Sequence, residues 1–265
     1  MFERINRKLS KIYCKLRTYV PIEKIPYSTD RLGSNYGGWI YAITPSIRKE
    51  GNTIIACGAG EDISFDIEIA SRYKSLIYIV DPTPRSIKHV DEVLTKVGQI
   101  GTKSYSNTGK QSITNYDLKN IKAGQIKFIK KALWNQSKKI KFFSPIDPSH
   151  VSHSIVNYQN NYSQDSISID VDAITIEDLF EIVNLNNDIE ILKLDIEGAE
   201  HEVLYDMISS QIFPKQLLVE YDELNFFGFH ENRSLKRFKR THKMLIENNY
   251  VPFARENNDF SYIRI

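Results

Sequence analysis

Residues 53–62 read Thr-Ile-Ile-Ala-Cys-Gly-Ala-Gly-Glu-Asp, a short apolar run that ends in a turn with two glycines. A helical pattern follows directly from Asp62, which is how a parallel strand, a glycine turn and a helix N-terminus read in sequence. Glycines let a ligand approach the backbone closely, and the N–H groups of a helix's first turn have no partners inside the helix. The stretch therefore predicts a ligand site at the end of a buried strand.

A second apolar run, Leu76 to Val80, ends at Asp81, about twenty residues beyond the glycines, where an acid in a βαβ unit can accept hydrogen bonds from a ribose. The dinucleotide fingerprint is incomplete, however, because Ile63 stands where its third glycine is required. A pyrophosphate clamp is therefore disfavoured. A nucleoside cofactor without phosphates, such as S-adenosylmethionine, fits the looser turn better.

The composition is that of an ordinary globular protein, with 41% hydrophobic and 26% charged residues among 265. Lysine and arginine number 35 against 33 acids, a net charge of +2, which gives no support for a nucleic-acid partner. Cys14 and Cys57 suggest no disulfide framework, and no apolar run reaches the roughly twenty residues of a membrane span or forms a signal peptide. These features predict a cytoplasmic protein.

The alternation of apolar runs and helical patterns predicts a Rossmann-like α/β fold, a mostly parallel sheet with helices on both faces. An antiparallel excursion is expected after the third strand, which is predicted over 126–133. There Lys139 to Phe143 alternates like a strand, and Val151 to Val156 is expected to pair back. We expect residues 1–50 to form an N-terminal helix and a lead-in, and residues 51–265 to form one domain.

The N-terminal segment has the pattern of a basic amphipathic helix. Its apolar stripe runs through Phe2, Ile5, Leu9, Ile12, Leu16 and Tyr19, and its other faces carry Arg4, Arg7, Lys8, Lys11, Lys15 and Arg17. Such a helix is typical of contact with an anionic membrane surface. Packing on its own domain or on a second copy in a homo-oligomer is the favoured interpretation.

Acids and glycines follow the predicted parallel strands, whose carboxyl ends bind ligands in open α/β sheets. These ends carry Gly58 with Gly60, Asp81, Ala132 to Asn135, Asp195 with Glu197, and Glu220 with Asp222. For Asp62 and Glu200 the simpler interpretation, that the acid caps the following helix, is favoured. Asp81 and Asp195 are better candidates for ligand contacts.

Four blocks of the sequence resemble the FkbM-type methyltransferase family, over about residues 50–225. They are Ile-Ala-Cys-Gly-Ala-Gly-Glu-Asp-Ile-Ser-Phe-Asp at 55–66, Val-Asp-Pro-Thr-Pro-Arg-Ser-Ile at 80–87, Leu-Lys-Leu-Asp-Ile-Glu-Gly-Ala-Glu-His-Glu-Val-Leu at 192–204, and Leu-Leu-Val-Glu-Tyr at 217–221. The Asp-x-Glu-Gly-Ala-Glu block is the most specific of them. The resemblance implies a class I methyltransferase that uses S-adenosylmethionine, usually on a hydroxyl of a sugar or natural product.

The resemblance also assigns roles to residues. The methionine part of the cofactor would lie along Gly58, Ala59 and Gly60, and Asp81 would hold the ribose. The adenine would be bordered by Ala132, Leu133 and Trp134, and the transferring methyl would lie beside Asp195 and Glu197. Cys57 departs from the acid or small residue often found before the first glycine, so a side-chain contact there is in doubt.

An alcohol proton is held too tightly at neutral pH to leave unaided, so the reaction needs a base. Asp195 is the first choice, followed by Glu197, Glu220 and His201. A divalent metal held by Asp195, Glu197 and Glu220 is a less favoured alternative.

Three histidines are candidates for contacts with the acceptor. His150 and His153 lie in the serine-rich excursion, and His201 follows the glycine turn of the Asp195 block. A self-bonded polar loop for the first two, and a surface or capping role for His201, are the simpler alternatives.

The predicted function is O-methylation of a saccharide or a similar small hydroxyl compound. A nicotinamide-dependent oxidoreductase and a non-catalytic domain of the same fold are the alternatives.

Overall fold

A computed structural model describes residues 17–144, 153–157, 166–183, 188–225 and 231–265. The described strands are β1 Thr29–Leu32, β2 Trp39–Ala42, β3 Thr53–Cys57, β4 Leu76–Val80, β5 Ile126–Ile129, β6 Ala132–Leu133, β7 Lys139–Phe143, β8 Ser168–Ile174, β9 Ile189–Leu194, β10 Gln216–Glu220, β11 Tyr250–Glu256 and β12 Asp259–Arg264. The helices are α1 Ser64–Tyr73, α2 Pro84–Leu94, α3 Ile176–Val183, α4 Glu200–Ser209 and α5 Glu231–Glu247. The predicted N-terminal helix falls almost wholly outside the described residues.

A seven-stranded sheet forms the centre of the molecule, in the order β11-β12-β10-β9-β3-β4-β5. Every neighbouring pair from β10 to β5 is parallel, whereas β12 is antiparallel to both β10 and β11. The chain runs outward from β3 through β4 to β5 and then resumes at β9, on the other side of β3. The order therefore reverses between β3 and β9, and the predicted mostly parallel α/β fold is confirmed.

Side chains alternate across the sheet and build a core on each face. On β3, Ile54 packs with α1 and α2, whereas Ile55 packs with α3, α4 and α5. The same alternation places Ile79 of β4 on the first face and Val80 on the second. Because both faces are covered, the central strands are buried and mostly apolar, as is typical of parallel sheets, with Glu190, Lys193 and Gln216 as buried polar exceptions.

The excursion after β5 contains an antiparallel pairing, as predicted, between β7 and β8, but β6 pairs parallel with β8 and the strands differ from the expected ones. The strand predicted over 126–133 is divided, because the Lys131 N–H bonds to the Ile129 carbonyl at 2.9 Å and turns the chain. The second part, β6, joins a separate sheet of order β6-β8-β7. In that sheet β7 pairs antiparallel with β8, and within the described residues 153–156 of the expected partner segment Ser154 forms an isolated bridge to Phe143.

The lead-in before β3 contains an antiparallel hairpin, in which Leu32 of β1 pairs with Trp39 of β2. Trp39 and Tyr41 are buried in the core beside α1 and α2. The Ala42 N–H bonds to the Gln216 side chain of β10 at 2.7 Å, so the hairpin packs on the central sheet. In the described part of the chain, no helix combines the length and apolar character needed to cross a membrane.

Candidate functional site

The glycine turn and the end of β9 meet where the strand order reverses. Gly58 has a φ of +85°, and a Cβ added to it would lie 1.7 Å from the carbonyl oxygen of Asp195. The Asp195 N–H in turn bonds to the carbonyl oxygen of Cys57 at 3.1 Å. Only glycine combines this conformation with such a close approach, and the result is that Asp195 lies directly beside the turn.

Asp81, at the end of β4, holds the glycine turn. Its Oδ2 accepts hydrogen bonds from the Ala59 N–H at 2.9 Å and the Gly60 N–H at 3.2 Å. Its Oδ1 accepts from the backbone and the hydroxyl of Thr83, at 2.8 and 2.7 Å. Gly60 has a φ of +52°, and a Cβ added there would meet no atom within 4 Å. The turn is thus fixed from the Asp81 side and borders open space at Gly60.

Asp62 ties two loops to the start of α1. Its Oδ2 accepts hydrogen bonds from the Ser34 hydroxyl at 2.6 Å and from the Gln111 side-chain amide at 3.0 Å. Its Oδ1 accepts from the Ser64 N–H at 2.9 Å, so it bonds to the first turn of α1, although Ile63 and not Asp62 occupies the N-cap position. The two loops, 33–38 after β1 and 101–118 after α2, therefore form a wall beside the glycine turn.

Three carboxylates come together at the ends of β9 and β10. One oxygen from each of Asp195, Glu220 and Asp222 lies within 4.8 Å of the others. Burial raises the pKa of Asp195 to about 6, with Asp81 adding to the effect and Lys193 opposing it. Burial and the neighbouring acids also raise the pKa of Glu220 and of Asp222 well above the usual range. A site of this kind can accept protons or bind a cation.

The Asp-x-Glu-Gly-Ala-Glu block forms a tight turn between β9 and α4. Glu197 has a φ of +56° and Gly198 a φ of +94°, and the Ser154 hydroxyl donates to the Glu197 carbonyl at 2.5 Å. Inside the turn, Glu200 Oε1 accepts from the N–H groups of Ile196 and Gly198 at 3.0 and 3.1 Å. Glu200 therefore holds this turn and does not cap α4 as predicted, and burial raises its pKa to about 8.

The predicted histidines lie in different surroundings. His201 is 1% exposed, stacks on Tyr221 and shares a 2.7 Å hydrogen bond between its Nδ1 and the Thr241 hydroxyl of α5. It therefore lies in the core and not on the open edge of the sheet. His153 is half-buried, stacks on Phe142 and contacts the Ser144 hydroxyl at 3.2 Å. His150 lies outside the described residues.

The segment predicted to border the adenine follows β5, the strand next to β4. Ala132 and Leu133 are both 3% exposed and pair with β8, which leaves little of their side chains for a ligand. Trp134 is half-buried, and its N–H bonds to the Ile174 carbonyl at 2.9 Å.

Two further residues belong to the acidic edge. Asp259 begins β12 directly opposite Glu220, and burial and the charge of Asp195 raise its pKa to about 7. The Tyr36 side chain is 65% exposed, and its partial burial together with the acids Asp195 and Glu220 raises the pKa of its phenol to about 12. Tyr36 belongs to the turn-rich stretch Gly33 to Trp39, whose aromatic residues fit either a pocket wall or a plug over the sheet, and no sequence signal marks Asp259.

A family model described as the methyltransferase FkbM domain matches residues 21–264. No curated protein matches the sequence. Among solved structures, the crystal structure of M. jannaschii TYW2 in complex with AdoMet is similar over 93% of this chain and 90% of that chain, with 11% identity and a TM-score of 0.33.

Proposed function

The chain belongs to the FkbM methyltransferase family, and from this premise we propose that it transfers a methyl group from S-adenosylmethionine to a hydroxyl of a saccharide or similar small compound. The observation that carries the proposal is the contact between the glycine turn and the end of β9. Because Gly58 lies against Asp195, a ligand on the turn would have its reactive end next to the acids of β9 and β10.

The residues of the turn fit S-adenosylmethionine. The space beside Gly60 is open, and the turn follows the first strand of a βαβ unit with an acid at the end of the second. We propose that Gly58, Ala59 and Gly60 line the methionine part and that Asp81 accepts hydrogen bonds from the ribose. To do so, Asp81 would exchange bonds that it now accepts from the turn.

The adenine is proposed to lie along the segment Ala132, Leu133 and Trp134. Since the side chains of Ala132 and Leu133 are buried, these two residues would contact the adenine through their backbone groups. Of the three residues, Trp134 is the one with accessible side-chain surface.

The protein's own contribution is to align the acceptor oxygen and to remove its proton. When bound, S-adenosylmethionine supplies an already activated methyl group. We assign the base to Asp195, because its pKa of about 6 leaves it ionised at neutral pH and yet able to accept a proton. Glu197 and Glu220 are the further acids that we place beside the acceptor.

A saccharide acceptor is supported by the chemistry of the edge. Carboxylates accept hydrogen bonds from neighbouring hydroxyl groups, and several converge here. His153 and Ser144 add polar groups from the excursion.

Calorimetric titration with S-adenosylmethionine and with NAD tests the cofactor. We expect S-adenosylmethionine to bind and NAD not to bind. Binding of NAD alone would overturn the proposal in favour of an oxidoreductase. Methyl transfer to a panel of sugars then tests catalysis, and cofactor binding without transfer to any acceptor would favour the non-catalytic alternative.

The variant Asp195→Asn tests the base. We expect it to bind S-adenosylmethionine with affinity close to that of the unaltered protein and to lose about 10²-fold or more in turnover. Asp172→Asn, at an exposed carboxylate of β8, is the matched control and should keep full turnover. Normal turnover in Asp195→Asn would refute the assignment of the base.

A further inference from the structure

The carboxylates of Asp195, Glu220 and Asp222 form a group that is unusually dense in negative charge. Their closest oxygens lie within 4.8 Å of one another, although the residues come from two strands and a following turn. In the described part of the chain, no salt bridge is made by Asp195 or Asp222. Among the described residues, Lys193 pairs with Asp66, and Arg237 pairs with Glu202 and Glu223.

Asp222 supplies a second and independent observation. Its side chain is only 6% exposed, and its Oδ2 is buried without a hydrogen-bond partner. The charged groups that act on this carboxylate are Glu197, Glu220, Glu200 and Asp195, all of them acids. A buried carboxylate oxygen with neither a donor nor a cation is strongly unfavourable, so a ligand of positive charge would stabilise it.

We propose that Asp195, Glu220 and Asp222 bind a divalent cation, Mg²⁺ being the ion that best suits a small set of carboxylate ligands. This set of three ligands differs from the set suggested by the sequence, because Asp222 takes the place of Glu197. The cation would neutralise the group and would give the buried Oδ2 of Asp222 its partner.

The role of the cation, unlike its binding, rests on the proposed function. A hydroxyl that enters the coordination sphere of a divalent cation has a lowered pKa, so its proton is easier to remove. Asp195 offers one oxygen to the cation, and its second oxygen would take the proton of the acceptor, in keeping with its proposed role as the base.

The experiment measures binding without cofactor or acceptor, so that its result does not depend on methyl transfer. The full-length protein is stripped with EDTA and titrated with Mn²⁺, a probe for Mg²⁺ sites, while free Mn²⁺ is followed by electron paramagnetic resonance. We expect one Mn²⁺ per chain, displaced by Mg²⁺, and an affinity at least about tenfold lower in Asp222→Asn.

Asp259→Asn is the matched control, because Asp259 lies opposite Glu220 but is not one of the three ligands. It should change Mn²⁺ affinity by less than about threefold. Thermal unfolding in EDTA checks that Asp222→Asn folds. Mg²⁺ should raise the midpoint of the unaltered protein and of Asp259→Asn, but not that of Asp222→Asn.

No Mn²⁺ binding at millimolar concentration, or equal affinity in Asp222→Asn and Asp259→Asn, would overturn the cation site. The proposed function would survive that result if methyl transfer proceeds in EDTA. Conversely, Mn²⁺ binding that depends on Asp222, in a protein that methylates no acceptor, would support the site and remove the proposed function.

Discussion

At the scale of single residues, Gly58 is constrained both by its own backbone and by its neighbour. Its φ of +85° lies in a region that side chains rarely adopt, and the carbonyl of Asp195 occupies the space where a Cβ would be. Gly60, two residues later, has a positive φ but open space around it. Substitutions at these two glycines therefore distinguish the energetic cost of a left-handed backbone from the additional cost of a steric clash.

We expect Gly58→Ala to lower the free energy of unfolding by more than about 4 kcal/mol, because a clash with β9 adds to backbone strain. Gly60→Ala should lower it by only about 1–2 kcal/mol, the cost of the left-handed conformation alone. Urea denaturation of both variants measures the difference. Equal destabilisation would show that the approach of Asp195 to Gly58 is not tight.

The acids of the site were predictable from sequence to different degrees. Asp81, Asp195 and Glu220 could be found because each ends or directly follows an apolar run, and parallel strands place such ends on one edge. Asp259 could not, since it begins a strand and reaches the edge only through the antiparallel pairing of β12 with β10. His201 was misleading, because its position in the sequence does not reveal that α5 covers it.

At the scale of elements, Asp62 joins the two loops beside the glycine turn to α1. An acid after a glycine turn predicted only a helix cap, which resembles the bond that one of its two oxygens makes to the first turn of α1. The loops themselves have no periodic pattern, so their shared attachment could be seen only in three dimensions.

We expect Asp62→Asn to loosen both loops, because an amide cannot accept from Ser34 and Gln111 while also accepting from the Ser64 N–H. Hydrogen exchange should accelerate in 33–38 and in 101–118. Gln111→Leu, which removes one bond to Asp62, should accelerate exchange mainly in 101–118. The role of Asp62 would be refuted if exchange in both loops stayed at the rate of the unaltered protein.

A buried ion pair connects β9 with α1. Lys193 Nζ lies 3.4 Å from Asp66 Oδ2, and their side chains are 3% and 1% exposed. Burial opposes the charge on Lys193, but Asp66 and nearby acids outweigh it and raise the pKa of the lysine. The charge of each residue therefore depends on the other.

Asp66→Asn should lower the free energy of unfolding by about 3–5 kcal/mol, because it leaves a buried cation without its partner. Lys193→Met combined with Asp66→Asn should recover most of that loss. Asp91→Asn breaks the exposed pair with Lys130 and serves as a control, with an expected change below about 1 kcal/mol. A double variant no more stable than Asp66→Asn would contradict this account.

The elements were predicted most accurately where the pattern was simple. Strands predicted over 76–81, 189–194 and 216–220 agree with β4, β9 and β10 to within a residue, because each is buried, mostly apolar and bounded by turns. The hairpin of β1 and β2 was missed because glycine and serine dominate its connection. β8 was missed because polar and apolar residues alternate beside a polar stretch, so that only its pairing with β7 identifies it.

At the scale of the whole molecule, the two covered faces of the sheet contain histidines that are held uncharged. Burial lowers the pKa of His89 beside α2, and of His201 and His242 on the opposite face. For His201, burial and the nearby Arg237 lower the pKa to about 3. Folding therefore excludes protons that the unfolded chain would bind in mildly acidic solution, which couples the stability of the fold to pH.

The sign of this coupling follows from the two pKa values of His201. In the unfolded chain the pKa is about 6.5, so between pH 6.5 and about 3 the unfolded state binds one more proton than the folded state. The free energy of unfolding should then fall by up to about 1.4 kcal/mol for each pH unit of acidification, from this residue alone.

His201→Asn keeps an amide near Thr241 but cannot titrate, and it should remove this part of the pH dependence. Thr241→Val removes the hydrogen bond and should lower stability at every pH while the slope remains. Urea midpoints from about pH 7 to about pH 5 give the slopes, and an unchanged slope in His201→Asn would mean that His201 is not kept neutral by the fold.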